Sequence, residues 1–335
     1  MRTVTFVVTL LALGAYELVD WLLGDRLELR AFSGYHRRDA AMIPEVTWRF
    51  IANDHARAAA VRHDTHCLAW APSIEELDDL RARGVHVDVA EGHGPTHLAF
   101  NCVETPFSDR RIRQAVAHAV DKRKLTRQLF GGVSAAASTP FPPSSPWHAD
   151  LPVDSYDPEK ARYLLATAGV RSLQVTLPVN GPAGLRIARL LDEDLEKVGI
   201  DLRPVAYDNP VWWPGVYTAG RWLMILQTWT PMPDPDQVLW RRYHSRGIFN
   251  TDRYDSPLVD EFLAQGRRTL DQGARRLIYR RVQELLLEDL PTVYLFHEPS
   301  ITAWADSVKA YRPRPSWETY LEGVWLESPG REREM

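Results

Sequence analysis

The strongest constraint on the fold is a regular alternation of helix-like and strand-like segments between residues 157 and 207. "DPEKARYLLATAG" and "LRIARLLDEDLEKVG" have helical patterns, while "SLQVTLPV" and "IDLRPVAY" have the patterns of strands. Asp157 stands at the N-cap of the first helix, Pro158 at its first helical position and Gly169 just past its end. Strand, helix and strand in succession predict a parallel or mixed sheet with covering helices. We therefore expect an α/β fold.

The stretch 101–132, "NCVETPFSDRRIRQAVAHAVDKRKLTRQLFGG", predicts two short helices. Apolar residues recur at helical spacing from Ile112 to Val120, Asp121 breaks this pattern and caps a second helix, and Gly131 ends it. The many basic residues raise the alternative of a nucleic-acid-binding helix. However, neutralising phosphates requires a basic surface, and the chain has a net charge of -4 and a pI near 6.3. We therefore predict a solvated helix face and no nucleic-acid partner.

Length and composition are those of a globular protein with more than one domain. The chain has 335 residues, of which 45% are hydrophobic, and this length favours two domains. Two cysteines, Cys67 and Cys102, make no disulfide framework. Twelve Trp and 24 Pro residues suit a protein that lines a cleft with aromatic rings.

The first 13 residues form an apolar segment with two interpretations. An apolar run from Val4 to Ala15 follows Arg2 and is too short to span a bilayer, which takes about 20 residues. Its length and charge match the core of a signal peptide. Its Val, Thr and Phe residues equally match a buried strand. The residues by themselves leave both open.

Residue types that could support catalysis are present, but their spacing is unfavourable. Histidines and a cysteine cluster in "HDTHC" and "GHGPTH", at His63, His66, Cys67, His93 and His97. The spacing H-x-x-H is not the i, i+4 spacing of a helical zinc site. The chain has no G-x-S-x-G elbow, phosphate loop or dinucleotide fingerprint. We therefore expect no metal, no cofactor and no enzyme activity, with a metal-dependent enzyme as the weaker alternative.

An ordered series of motifs carries a resemblance to a known family. The most distinctive run consists of Asn101, Pro106, Phe107, Asp109, Arg113, Gln114, Ala115, Ala119, Asp121 and Gly132, followed by "STPFPPSSPW". "YDPEKARYLLATAG", "LLDEDLEKVGIDL", "DPDQVLW" and "RRLIYRRVQELLLEDLPTVYLFH" follow in the family's order, and "GAYELVDWLLGDRLELRAFSGYH" precedes them. The sequence is identified as a member of extracytoplasmic solute-binding protein family 5, the peptide- and nickel-binding components of ABC transporters.

This resemblance implies a two-lobed periplasmic-binding-protein-like fold of type II, cluster C. It covers only the C-terminal two-thirds of family members, so part of lobe I and its extra domain are expected to be missing. The implied domains are an apolar segment 1–13, partial lobe I at 14–100, lobe II at 101–302 and a return to lobe I at 303–335. The stretch from Gly14 to Trp21 resembles a motif from the middle of lobe I, so a signal peptide before it would lead into the middle of a domain. The resemblance therefore favours a truncated or remodelled chain over an exported one.

The resemblance also implies partners and a location. By this resemblance, the protein binds a peptide or similar small solute between its lobes and delivers the solute to ABC permease subunits. The family location is extracytoplasmic, in the periplasm or at the cell surface, although the N-terminus shows neither a clear signal peptide nor a lipobox.

Specific residues are expected to form the cleft and the hinge. The predicted ligand-binding residues are Trp229, Trp212, Trp213, Tyr217, Trp240 and Asp234. The predicted hinge residues are Phe100, Asn101, Cys102 and Thr302, since the lobes of such proteins close on their ligand. Each Trp has an alternative as an ordinary core residue.

Two family motifs that bear on ligand binding are altered. "VRHDTHCLA" replaces a Gly-Glu-x-Asp signature at positions 64 to 67, and "TWTPMPDPD" replaces Trp-Gly-x-Asp. In peptide binders an acidic residue of that second loop pairs with the ammonium group of the ligand, which Met232 or Pro233 cannot do. Peptide specificity is therefore in doubt. A truncated, ligand-incompetent relic or interaction domain is the alternative function, and an incomplete sheet would leave an unpaired edge.

Overall fold

The computed structural model describes residues 14–37, 40–92, 94–153, 156–229, 232–314 and 319–327. The chain divides into two compact units: unit 1 comprises the residues up to Ala90 and from Ser300 onward, and unit 2 is Glu91–Pro299. The apolar segment 1–13, predicted as a strand or a signal, lies outside the described residues.

The first part of unit 1 contains five strands and two helices. They are β1 (Tyr16–Leu22), β2 (Arg26–Ala31), β3 (Glu45–Arg49), α1 (Asp54–His63), β4 (Leu68–Trp70), α2 (Leu77–Ala82) and β5 (His86–Ala90). β1, β2 and β3 form an antiparallel sheet in that order. Its register aligns Leu18, Leu29 and Val46 in an apolar row, and Glu17, Arg30 and Glu45 in a charged row. Neighbouring rows point to opposite faces, so this sheet has one apolar and one charged face.

Unit 2 is the larger α/β body. Its elements are β6 (Pro95–Phe100), α3 (Arg110–Ala119), α4 (Lys122–Phe130), α5 (Pro158–Thr167), β7 (Leu173–Asn180), α6 (Gly181–Leu195), β8 (Ile200–Tyr207), α7 (Asn209–Val211), β9 (Met224–Thr228), α8 (Pro235–Tyr243), α9 (Pro257–Arg268), α10 (Gln272–Asp289) and β10 (Thr292–His297). A π-helical turn, Trp212–Tyr217, continues α7. The chain then returns to unit 1 as β11 (Ser300–Trp304), β12 (Val308–Lys309) and β13 (Trp325–Leu326).

The predicted helix boundaries in unit 2 are confirmed where a cap defines them. The side chain of Asp121 accepts a hydrogen bond from the Lys124 N–H and starts α4, and Gly131 ends it in the left-handed conformation. The side chain of Asp157 likewise accepts from the Lys160 N–H at the start of α5. These caps are local, because donor and acceptor lie three residues apart.

The sheet arrangement differs in part from the predicted one. β7 and β8, on either side of α6, pair in parallel as the alternation predicted. The central sheet of unit 2 is instead antiparallel, in the order β10–β6–β9. Its middle strand, β6, was not among the predicted strands, and its first three residues end the segment "GHGPTH". In unit 1, β11 lies between β4 and β5 and is antiparallel to both.

The unit boundaries also differ from the predicted lobe boundaries at 100/101 and 302/303. Phe100 ends β6, the middle strand of unit 2, so the crossing into this unit lies before that strand. Thr302 pairs with Trp70 and Asp88 inside the sheet β4–β11–β5 of unit 1, so the return crossing lies before it.

The largest hydrophobic cluster among the described residues of unit 2 lies on one face of the central sheet. Leu98, Phe100, Met224, Leu226, Val293 and Leu295 from the three strands pack with the apolar faces of α3, α4 and α6. Within the described part of the chain, no helix is long and apolar enough to cross a membrane.

Candidate functional site

One edge of the central sheet adjoins both chain crossings between the units. β6 begins at Pro95, shortly after the crossing at Ala90–Glu91, and β10 ends at His297, shortly before that at Pro299–Ser300. His297 is paired with Pro95, and Thr228 at the end of β9 is paired with Thr96. Side chains from three distant parts of the chain therefore meet at this edge.

A carboxylate is held at this edge by two hydroxyl groups. The Oγ1 atoms of Thr96 and Thr228 lie 2.8 and 2.9 Å from Oε1 of Glu298, and 2.8 Å from each other. The Glu298 backbone N–H donates to the Gly94 carbonyl oxygen at 3.0 Å, which extends the β10–β6 pairing. Burial raises the pKa of the Glu298 carboxyl, an effect that the two threonine hydroxyls partly offset. We refer to Thr96, Thr228 and Glu298 as the edge triad.

Four of the six predicted ligand-binding residues come together in an aromatic cluster on the other face of the sheet. Trp229 follows β9, and its ring lies 5.3 Å from that of Phe249 and 6.3 Å from that of Tyr217. Trp212, Tyr217 and Trp229 are buried in this cluster together with Trp222.

Trp213 is the exposed member of the cluster. Its ring stacks on that of Tyr217 at 4.9 Å, and 45% of the residue remains accessible. Trp213 therefore has an open surface that a ligand could contact, whereas the rings of Trp212, Tyr217 and Trp229 mainly stabilise the unit. Ligand contact by these four residues stays a prediction.

Trp240, on α8, and Asp234, which directly precedes this helix, lie outside this cluster. The Trp240 ring stacks on His244 at 3.7 Å, and the Arg267 guanidinium lies 4.2 Å from its centre. Asp234 caps α8 and accepts from Arg275 at 3.0 Å. Burial disfavours its ionisation, but the bonds from Arg275 and from the Asp236 N–H hold the pKa of Asp234 below its usual value. This carboxylate thus already has a cationic partner.

Buried polar groups line the sheet beside the aromatic cluster. The imidazole of His97 is fully buried, with Nδ1 3.0 Å from the Pro95 carbonyl oxygen. Burial, reinforced by the positive charge of Arg242, lowers the pKa of His97 well below its usual value, so the ring is neutral. Nδ1 therefore carries the proton and donates to that carbonyl. Arg242 in turn pairs with Asp252 at 3.0 Å, and both side chains are buried.

The predicted hinge residues lie inside sheets or just after them. Phe100 is fully buried, and the Asn101 side-chain amide donates to the Trp222 carbonyl oxygen at 3.3 Å. Cys102 is half-buried, and desolvation raises the pKa of its thiol to about 12. A hinge at these positions stays a prediction.

The histidine-rich segments do not assemble a metal site in the described part of the chain. There, no three His, Cys, Asp or Glu side chains are grouped so as to hold a metal ion. Nδ1 of His66 lies 2.9 Å from the Ser307 hydroxyl, and burial raises the pKa of the neighbouring Cys67 to about 11. His93 lies outside the described residues.

Comparison with known proteins decides the family. The model of "Bacterial extracellular solute-binding proteins, family 5 Middle" matches residues 5–250. The chain belongs to this family. The match begins ahead of β1 and extends through α8.

Relatives in family 5 are longer than this chain. The glutathione-binding protein GsiB of Escherichia coli K12 is 24% identical over 327 residues, covering 94% of this chain and 64% of GsiB. The chain thus spans less than two thirds of the length of this curated relative.

Solved structures show the fold. The ABC transporter-associated periplasmic binding protein DppA of Helicobacter pylori, in complex with the peptide STSA, superposes with a TM-score of 0.88 at 24% identity, covering 94% of this chain and 63% of DppA. NikA of Staphylococcus aureus, in complex with Ni(L-His)2, gives a TM-score of 0.82 at 20% identity, covering 94% and 69%. The predicted α/β fold of the two-lobed periplasmic binding proteins is therefore confirmed.

The edge triad was missed in the sequence. Thr96, Thr228 and Glu298 stand in unrelated segments, and no family 5 motif quoted above includes all three. Only the pairing of β6 with β9 and β10 brings them together. The sequence contains one indirect signal for a carboxylate elsewhere, namely the altered segment after Trp229. This segment lacks the acidic residue that the resemblance leads one to expect.

Proposed function

We propose that this chain is the solute-binding component of an ABC importer, acts outside the cytoplasm and has no catalytic activity. Its solute is a peptide or a similar small molecule, which it passes to permease subunits. The observation that carries the proposal is the family 5 match over residues 5–250. The relatives support the range of solutes: their names record glutathione, a peptide and a nickel–histidine complex as ligands.

The division of the chain into two units supports binding accompanied by closure. Two compact units are joined by two crossings, at Ala90–Glu91 and at Pro299–Ser300. Two-domain proteins commonly close on a ligand about a few residues at such crossings. Trp213 offers an exposed ring, and the edge triad offers a carboxylate next to the crossings.

The proposal is tested by thermal unfolding of the purified 335-residue chain with glutathione, the peptide STSA or a Ni(II)–histidine complex. A ligand that binds the native state raises the midpoint of unfolding, by an amount that increases with its concentration. We expect one of these classes to raise it, and titration calorimetry to give saturable binding. A cooperative transition that none of the three shifts at millimolar concentration contradicts the proposal.

A specific observation favours the second candidate function, an interaction domain without a ligand. The sheet β1–β2–β3 contains no buried residue. Its apolar residues include the exposed Trp21 and Trp48, and apolar surface of this kind marks contacts with another polypeptide. Concentration-dependent self-association combined with no response to the three ligands would favour this alternative.

A further inference from the structure

Glu298 is a half-buried carboxylate that lacks a cationic partner. Among the described residues no Lys, Arg or His forms an ion pair with it, and no neighbouring charge contributes to its raised pKa. Asp234, a predicted ligand-binding carboxylate of unit 2, is by contrast already paired with Arg275. A partly desolvated carboxylate without a counter-charge is unfavourable unless something else supplies that charge.

The hydrogen bonds of Glu298 leave one of its oxygens available. Both threonine hydroxyls donate to Oε1. In the described part of the chain Oε2 accepts no hydrogen bond, yet it is not among the buried unpartnered atoms. Oε2 is therefore accessible. The hydroxyls fix the orientation of the carboxylate, so that a partner can approach Oε2 without reordering the side chain.

We propose that Glu298 is the recognition site for a positively charged nitrogen of the solute, a primary ammonium or a guanidinium group, with Thr96 and Thr228 as positioning residues. The inference rests on the proposed function. It adds that the solute is positively charged and that Glu298 is the residue that binds this charge. It also accounts for the altered loop after Trp229, in which Met232 and Pro233 cannot pair with a cation.

A cation at Oε2 couples binding to protonation. Burial holds the pKa of free Glu298 above its usual value, and an adjacent positive charge favours the ionised form. Binding of a cationic solute therefore lowers this pKa and releases a proton when the pH is near its raised value. Affinity is accordingly highest above the raised pKa of Glu298 and falls as the pH drops through it.

The test compares the peptide STSA with its N-acetylated form, which lacks the ammonium group and is otherwise the same peptide. Affinities are measured by titration calorimetry for the whole 335-residue chain, for Glu298→Gln and for Thr228→Val. Glu104→Gln serves as the matched control, since its carboxylate is exposed in unit 2 and pairs with Arg253. Gln retains the shape of Glu298 and removes only its charge.

We expect acetylation and Glu298→Gln each to weaken binding about 10- to 100-fold, the usual range for a charged hydrogen bond. The two changes together should cost no more than either alone, and Thr228→Val should cost less. The fall in STSA affinity at acid pH should disappear in Glu298→Gln and persist in Glu104→Gln. A merely structural glutamate would affect both peptides equally.

Other outcomes separate this inference from the proposed function. Equal binding of the two peptides by the unaltered chain, or equal losses for both in Glu298→Gln, would overturn the role of Glu298 while leaving a solute-binding protein. Absence of binding for both peptides, together with no response to glutathione or nickel–histidine, would overturn the proposed function and this inference with it.

Discussion

Two of the three-stranded antiparallel sheets among the described residues, one in each unit, have similar strands and opposite degrees of burial. In β6–β9–β10 of unit 2, every residue of β6 and β10 is buried, with an apolar core on one face and the aromatic cluster and buried polar groups on the other. In β1–β2–β3 of unit 1 no residue is buried, although one face is largely apolar. Backbone pairing is thus common to both sheets, whereas only the first has side-chain packing on both faces.

This difference indicates where the stability of the chain resides. Hydrophobic stabilisation scales with the apolar area removed from water, so the central sheet of unit 2 contributes far more than β1–β2–β3 of unit 1. The apolar face of β1–β2–β3 is only partly covered by other side chains. Val46 packs against the cluster that contains Ile43 and Tyr311, and the Trp48 ring lies 5.9 Å from that of Trp70. The following changes test this contrast.

The largest effect is expected from the buried ion pair beside the central sheet. Arg242→Met should destabilise the protein by about 3–5 kcal/mol, because it leaves Asp252 buried without its counter-charge. Burial raises the pKa of Asp252, and this pKa should rise further without Arg242. Stability is then lost as the pH rises, so the deficit should be smaller at acid pH, where Asp252 is protonated. Urea unfolding at several pH values measures this.

The control for that change is Arg26→Met in β2 of unit 1. Arg26 pairs with Glu28 and Asp25 at the surface, at 2.7 and 3.0 Å, and its removal should leave the urea midpoint nearly unchanged. Equal losses for the two arginine variants would contradict the contrast between the sheets.

A pair of leucines isolates the effect of packing. Leu98→Ala in β6 removes a fully buried side chain and should cost about 3 kcal/mol, because it leaves a cavity in the core. Leu29→Ala in β2 changes a half-buried side chain and should cost about 1 kcal/mol or less. Circular dichroism during urea unfolding compares the two. Should Leu29→Ala prove the more destabilising, the apolar face of unit 1 would be more tightly packed than described.

The exposed apolar residues of unit 1 should affect association more than stability. Trp21→Thr combined with Leu23→Ser replaces residues that are 43% and 82% exposed, and should lower self-association several-fold with little change in the urea midpoint. Leu270→Ser in unit 2 is the matched control, since Leu270 is 95% exposed and single exposed apolar residues are common. Sedimentation velocity over a concentration series measures the difference. A chain that stays monomeric throughout would remove the support for the interaction-domain alternative.

The smallest effect on stability is expected at the edge triad. The folded-state pKa of Glu298 is raised, so its ionisation costs stability as the pH rises through that pKa. Glu298→Gln should remove this cost and slightly stabilise the ligand-free protein at neutral pH, with no gain below the usual carboxyl pKa. Thermal unfolding of both proteins across this pH range provides the measurement. A loss of stability at neutral pH would mean that the ionised carboxylate is stabilised in the native state.

Much of the fold follows from local patterns in the sequence. The caps at Asp121 and Asp157, the helices that they begin and the parallel pairing of β7 with β8 depend on residues close together in the chain. The ordered family motifs were equally sufficient to identify the family, because each occupies a continuous stretch. Trp229, Trp212, Trp213 and Tyr217 do lie together in an aromatic cluster, whereas their contact with a ligand stays a prediction.

The middle strand β6 and the edge triad were decided by the tertiary structure alone. "PTHLAF" contains a proline and a histidine after a glycine-rich segment, and its strand conformation depends on β9 and β10, which are distant in sequence. The triad requires the same pairings, since its three side chains meet only when those strands are in register. Sequence patterns encode short-range periodicity and capping. The partial burial of the Glu298 carboxylate, and whether a cationic side chain lies beside it, depend instead on which distant segments surround it.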